Sequence, residues 1–440
     1  MSTLAEIEQQ KKTRLEWLCD LYSGDPLASD EAAGDANLFD RENDFGLSTF
    51  LETYRPLVKL REQRGELRFQ LGEVRHPEED LCYADLYVDS EHIFVLQVRF
   101  EEVLPCRVKY WTSYPPLADG VVIRNYEPSD AAGCVALERA CPMEMLDGTK
   151  WVVDRGVYFD DYLQLMHTID ASVVEADGQI VGFYDCALRP ISYRGDTGAY
   201  CVYQHHYRVH PDYRSGSISQ ALAASIDSRR TFQDYNVPFP YSMIDPNNAH
   251  MQHMGFPPVE GMEIARISIP LTELAVEAEL IASDTTQIID LINKTHRNRT
   301  FFQPYDVVSF QARTTKVASY GLVDFRATAN AVLGIWSVNE RNFLLKADGD
   351  VETGQELRLA FVLDYGFADV EELLCLVRGV ASELLEDGAT HLCFLCDTRA
   401  LEYDALASSG EDVQKFRVHT LPWNLEDFSG DVVYCDAVYC

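Results

Sequence analysis

Two stretches of this chain carry the same landmarks at nearly the same spacing, and that repeat limits the folds open to it more than any single motif. Asp130, Gly182, Val209 and Asp245 stand 52, 27 and 36 residues apart, and Asp284, Gly334, Val362 and Asp397 stand 50, 28 and 35 apart. Insertions scramble the spacing of unrelated folds quickly, so the pattern predicts a duplicated domain. A chain of 440 residues also needs several separately packed cores. The first part of the chain lies outside the repeat, and "SYPPLADG" at 113–120, with paired prolines and a glycine, reads as a linker. The predicted division is residues 1–115, 116–275 and 276–440.

The first segment opens with two helical stretches, about residues 4–22 and 46–63. In the first of them Leu4, Ile7, Leu15, Leu18 and Leu21 recur near helical spacing. Four strand-like runs follow, "ELRFQLGEV", "LCYADLYVD", "HIFVLQVRFEEV" and "CRVKYWTSY", joined by short turns. Helices before a curved antiparallel sheet make an α+β layout. In the middle segment "GVVIRNYEP" is a strand, and Ser129 and Asp130 can cap a helix over "AAGCVALERA". Asp177-Gly178 joins two strands as a hairpin, "TGAYCVYQHHYRV" is a further strand and "PYSMID" a buried one. The loop after "HYRV" is the most telling feature. A strand ends, the chain turns, and the helix "SISQALAASIDSRR" begins with unpaired backbone N–H groups facing outward. Such amides, with the helix dipole behind them, suit a pyrophosphate.

Four runs in order, "IRNYEPSDAAGCVAL", "VEADGQIVGF", "VHPDYRSGSIS" and "DPNNAHMQHMGF", resemble the GNAT N-acetyltransferase superfamily across the middle segment. The resemblance implies acetyl-CoA, or another acyl-CoA, as cofactor. Its pyrophosphate would lie on Arg214, Ser215, Gly216, Ser217, Ile218 and Ser219, its thioester along the backbone of Tyr207 and Val209, and its pantetheine arm near Asn248. Ser217 adds a Cβ where the phosphate comes closest, with its hydroxyl as a compensating donor. Arg208, Arg214, Arg229 and Arg230 supply positive charge. The third segment resembles a degenerate GNAT copy, because "VLDYGFADVEELL" sets Asp364 and Asp369 against any anion. The order of elements in the first segment resembles the SnoaL-like (cystatin-like cone) family. The whole is thus expected to be α+β, an N-terminal SnoaL-like α+β cone followed by two GNAT-like α/β domains with mixed sheets.

The resemblance implies attack of an amine on a thioester. That reaction needs a base for the ammonium, amides for the oxyanion and an acid for the leaving thiolate. Counting back in twos from Val209 puts Tyr207, His205 and Tyr203 on one strand face. Tyr203 takes the register where some GNAT members carry a catalytic Glu. A tyrosine of pKa about 10 is a poor base at neutral pH and a histidine near about 6.5 a better one, so the catalytic candidates are His205, as base, and Tyr203. A structural histidine bonded to a neighbour is the competing reading of His205. Met251 stands where many members place the acid and cannot donate a proton, and His250, His253 and Tyr241 are nearby. The activity expected is transfer of an acetyl or other small acyl group from coenzyme A to the amine of a small molecule. Two readings compete with it: a non-catalytic ligand-binding or interaction protein on the same scaffold, and an acyl-CoA decarboxylase or hydrolase.

A net charge of -34 repels polyanions, so nucleic acid and anionic membranes are poor partners. No apolar run approaches the roughly 20 residues of a membrane helix and no signal peptide opens the chain, so a cytoplasmic protein is expected. The 12 cysteines then read as reduced thiols. Cys393 and Cys396, with Cys435 and Cys440, could offer four thiolates to zinc, but "HLCFLCD" reads as a buried strand and no metal is expected. Asp147, Asp154, Asp160 and Asp161 hint at a cationic acceptor.

Overall fold

The computed structural model describes residues 4–23, 64, 67–76, 81–100, 108–114, 116–144, 150–193, 196–214, 217–225, 239–246, 258–271, 284–338, 341, 343–347, 355–420 and 432–439. The chain forms two compact units, residues 1–123 with 214–225, and residues 124–213 with 226–440. The predicted helix at 46–63 lies outside the described residues.

In the first unit, α1 (Leu4–Ser23) is followed by β1 (Gln70–Arg75), β2 (Leu81–Val88), β3 (Glu91–Phe100) and β4 (Val108–Tyr114). The strands form an antiparallel meander in chain order. Register shifts in all three ladders give the bends of a curved sheet. Side chains alternate across a strand, so Cys82, Ala84 and Leu86 of β2 and Phe94, Leu96, Val98 and Phe100 of β3 share one face. They close over Leu15, Leu18 and Cys19 of α1. This is the helix-on-sheet α+β layout that the sequence predicts. A second helix of this unit, Ser217–Ser225, lies against β4, and its Ala221 packs with Val95, Tyr83, Leu117 and Ile123.

The second unit opens at the end of β5 (Val121–Asn125) and continues through α2 (Ala131–Ala140), β6 (Met143–Glu144), β7 (Lys150–Asp154), α3 (Phe159–Leu163), β8 (His167–Ala176), β9 (Gln179–Tyr193), β10 (Asp196–Val209), β11 (Phe239–Ile244) and β12 (Pro258–Pro270). After these come α4 (Thr285–His296), α5 (Val307–Ala318), β13 (Leu322–Ala327), β14 (Ala331–Ser337), β15 (Phe343–Ala347), β16 (Gln355–Phe367), α6 (Val370–Glu386), β17 (His391–Asp397), α7 (Tyr403–Ser409) and β18 (Asp412–Thr420). Fourteen strands share one mixed sheet, in the order β5-β8-β9-β10-β11-β18-β12-β17-β16-β15-β7-β6, with β14 also on β16 and β13 on β14.

The interior of that order is symmetric. From one side, β8, β9 and β10 are antiparallel and β10 and β11 parallel. From the other, β13, β14 and β16 are antiparallel and β16 and β17 parallel. The strands in the middle are crossed over: β18 pairs with β11, β12 pairs with β17, and the two pair with each other, all antiparallel. Residues 116–275 and 276–440 therefore contribute strands to one sheet and complete each other's edges. The stretch at 432–439 joins both halves as well: Arg189 of β9 donates to the Tyr434 carbonyl at 2.7 Å, and Val433 N donates to Asp397 at 2.8 Å.

Local chemistry sets several elements as read and corrects others. Asp177 and Gly178 both have positive φ, 51° and 76°, the primed turn that a tight hairpin requires. Cys393 and Cys396 lie in buried β17. Asp284 caps α4 by accepting from Gln287 N at 2.8 Å. Asp130, in contrast, makes no cap to the amides of α2. It accepts from Glu127 N and from both terminal nitrogens of Arg124 at 2.7 and 2.8 Å, because a bidentate guanidinium is the stronger donor. No helix among the described residues is long and apolar enough to cross a membrane.

Candidate active site

The candidate site is built on β10 where its pairing changes. Cys201 to Gln204 pair in parallel with Phe239 to Ser242 of β11, and the described ladder ends there, while Met243 and Ile244 go on along β18. On the other side His205 faces Asp185 of β9 and Arg208 faces Phe183, so His206 and Tyr207 together stand opposite Tyr184 alone. This is a β-bulge, and His206 takes a φ of 33°, in the left-handed region that a residue with a Cβ rarely adopts.

The bulge changes which side chains share a face. His205 and His206 turn to the same side, with ring centroids 3.4 Å apart. His206 Nδ1 lies 2.9 Å from Asp185 Oδ1, and His205 Nδ1 lies 3.5 Å from Asp185 Oδ2. Tyr203 joins them, its ring 5.1 Å from His205 and 4.9 Å from Tyr241. Tyr207 does not. The extra residue throws it to the opposite face, edge-on to Tyr184 at 5.0 Å, so the predicted common face of Tyr203, His205 and Tyr207 is corrected to Tyr203, His205 and His206.

Asp185 is fully buried, and Phe159, Tyr162 and Phe183 wall the two rings. Beyond His206, Glu138 of α2 sits 3.9 Å from Nε2 and pairs with buried Arg155, and Arg208 lies 3.9 Å from the same Glu138 oxygen. Burial lowers the pKa of His205, and Arg155 and Arg208 lower it further, against the opposing pull of Asp185. Burial holds His206 well below its ordinary value as well, with the His205 ring beside it acting in the same direction. For Asp185 burial works against the charged form, but the two imidazoles more than offset this and keep it below the usual carboxylate range. At neutral pH the site therefore holds two neutral imidazoles over a carboxylate, and a neutral imidazole can accept a proton.

The other candidate residues are distributed differently from the sequence expectation. Val209 is buried at the end of β10, and its carbonyl accepts from the Cys141 thiol at 3.3 Å. Ser217, Ile218 and Ser219 begin a helix that belongs to the first unit, whereas β10 belongs to the second. Arg214 is exposed. Ser215, Gly216 and Asn248 lie outside the described residues, as do Arg229, Arg230, His250, Met251 and His253. Arg208 faces Glu138 and does not stand free as phosphate charge. Of the acidic group, Asp154 is committed to Arg139 at 2.7 Å and Asp160 to the Tyr126 hydroxyl at 3.0 Å, and Asp147 lies outside the described residues. In the second half Asp369 caps α6 with its own carboxylate, at 2.8 Å from Glu371 N, and buried Asp364 accepts from Tyr305, Tyr434 and Arg313. Sequence reasoning missed Asp185, His206 and Glu138. The available signal was one aspartate inside the otherwise apolar run "IVGFYDCAL".

No protein-family model matches this chain, and no curated protein matches its sequence. Among solved structures, Saccharomyces cerevisiae N-myristoyltransferase with bound myristoyl-CoA is similar at a TM-score of 0.50 and 12% identity, over 70% of this chain and 84% of that one. The fold is GNAT-like. A GCN5-related N-acetyltransferase from Sphaerobacter thermophilus is similar at a TM-score of 0.46 and 14% identity, over 69% of this chain and 96% of that one. A tandem GNAT protein from the clavulanic acid biosynthesis pathway is similar at 0.44 and 13%, over 68% and 98%. At 12% identity the likeness to the yeast enzyme is one of fold.

Proposed function

We propose that the protein is an acyl-CoA-dependent N-acyltransferase that moves an acetyl or other small acyl group to the amine of a small molecule. The observation that carries the reading is the neutral His205, beside the buried Asp185 carboxylate, at the point where the described β10–β11 ladder ends. Two structures of the fold, both of the yeast enzyme, are described with bound myristoyl-CoA, which supports an acyl-CoA donor.

His205 takes the proton from the acceptor ammonium, and Asp185 stabilises the imidazolium that results. The amine nitrogen then bonds to the acyl carbon, the carbon–sulfur bond breaks, and the second proton that the nitrogen sheds passes to the leaving thiolate, directly or through water. Tyr203 packs on the His205 ring and fixes its direction. Tyr207 and Val209 supply backbone along the donor, and Arg214, Ser215, Gly216, Ser217, Ile218, Ser219 and Asn248 form the coenzyme site of the same proposal. Within this reading residues 276–440 are a second GNAT copy without coenzyme. The symmetric strand order and the Asp369 cap, which uses an amide that a phosphate would need, support it. Residues 1–115 are proposed as the SnoaL-like cone, supported by α1 on its bent four-stranded meander.

Free-thiol release from acetyl-CoA, with and without a panel of amines, tests the reading. Amine-dependent release supports transfer, amine-independent release points to hydrolysis or decarboxylation, and no release leaves a binding protein. His205→Ala is expected to cut the amine-dependent rate about 100-fold or more while coenzyme affinity holds. An unchanged rate moves the base elsewhere.

A further inference from the structure

Among the described residues, Asp185 Oδ2, His205 Nδ1, His206 Nε2 and Glu138 Oε2 are buried without a hydrogen-bond partner. The first two face each other, whereas the Glu138 oxygen nearest His206 Nε2 is Oε1, which accepts from Arg155. Asp185 Oδ2 lies 3.5 Å from His205 Nδ1, and a Glu138 oxygen lies 3.9 Å from His206 Nε2. One aspartate and two histidines thereby offer three ligand atoms within 4.8 Å of one another. A four-coordinate ion with bonds of about 2.1 Å holds its ligand atoms about 3.4 Å apart, so a contraction of roughly an ångström closes the set.

The tautomers point the same way. With His206 Nδ1–H donated to Asp185 Oδ1 at 2.9 Å, the Nε2 lone pair is left 3.9 Å from Glu138 Oε1, an acceptor facing an acceptor, and Arg155 is that oxygen's donor. An ion that takes Nδ1 moves the proton to Nε2, where it is donated to Glu138. A ligating histidine anchored by a carboxylate behind it is the usual support of a metal centre. Charge fits as well. Glu138 is matched by Arg155, with Arg208 at 3.9 Å, while no lysine or arginine among the described residues reaches Asp185 within 4 Å. The bulge at His206, a backbone position that costs strain, is what brings both imidazoles to one side.

We propose that Asp185, His205 and His206 form a binding site for a divalent transition-metal ion of the zinc class, with Glu138 orienting His206. No metal is expected from the sequence alone, whose only metal-like signal is cysteine spacing, because these ligands come from two strands joined by the fold. Imidazole and carboxylate suit zinc, cobalt, nickel and iron(II), and three protein ligands leave a position open. A bound ion would take the electron pair of His205, so the loaded protein lacks the base proposed above, and binding is therefore read by spectroscopy and not by turnover.

The test is titration of the metal-stripped full chain with cobalt(II). One equivalent is expected to bind with the visible d–d absorption of a nitrogen and oxygen site, without near-ultraviolet charge transfer from sulfur, and to be displaced by zinc(II). His206→Gln and Asp185→Asn are each expected to weaken cobalt binding at least tenfold. Glu138→Gln keeps all three ligands, and it is expected to weaken binding about tenfold with the spectrum retained. Circular dichroism checks that each variant is folded, and the wild-type titration stands by itself where one is not. Absence of binding to the wild type at a hundredfold excess of cobalt, a thiolate charge-transfer band, or an affinity that folded His206→Gln leaves unchanged would overturn the site.

Discussion

His296 is the residue whose burial most plainly sets a pH limit on this protein. It is fully buried, its Nε2 donates to the Tyr365 carbonyl at 2.7 Å, and Phe302, Tyr365 and Tyr434 surround the ring. Burial, with Arg299 nearby, pushes its pKa well below 6.5. The folded state thus refuses a proton that the unfolded chain accepts, and stability falls as pH drops below about 6.5. At pH 5 the loss reaches at most about 2 kcal/mol for a proton wholly refused. His296→Gln keeps a donor for Tyr365 and removes the titration, so its denaturant midpoint is expected to fall less steeply between pH 7 and pH 5 than that of the wild type. At this scale the sequence showed His205 through its strand position and a pKa suited to a base. It hid Asp185 and Glu138, because a lone carboxylate in a strand or helix gains meaning only when a partner strand is known. Stepping by two also failed at Tyr207, since one extra residue in a strand leaves no mark in composition.

Elements were legible where local chemistry decides them. The Asp177-Gly178 hairpin and the buried strand of Cys393 each follow from residues within a few positions. The approach of α4 to β16 does not, and it rests on a glycine. A Cβ on Gly366 would lie 2.5 Å from the Leu291 carbonyl carbon and 2.6 Å from Ile292 N, both backbone atoms that cannot swing aside. Gly366→Ala is expected to destabilise by about 1–3 kcal/mol, read as a lower denaturant midpoint. Gly178→Ala tests positive φ without crowding, because nothing lies within 4 Å of its Cβ. It is expected to cost about 1 kcal/mol, through left-handed strain alone. For the helix at Ser217 the expectation is of a different kind: Ser217→Gly removes the proposed crowding by a Cβ, so coenzyme A binding tightens in calorimetry, and a loss of affinity would show that the hydroxyl matters more.

Across the whole molecule, the repeated spacing of landmarks foreshadowed two matching sets of strands, but not that their last members are crossed over. Spacing records order along the chain, and sheet order records which edges find each other; β12 and β18 could each have closed its own half. Because β12 is paired on both sides by strands from beyond residue 276, residues 116–275 produced alone are expected to aggregate through unpaired edges. Co-production with residues 276–440 is expected to restore a soluble complex on size exclusion.

The crossing also times how this protein can be made. The edge of β11 waits for β18, whose last residue, Thr420, is synthesised 176 positions after Ile244. At about 5–20 residues per second that edge stays bare on the ribosome for roughly 10–35 s, an interval in which a nascent chain needs a chaperone more than it needs speed.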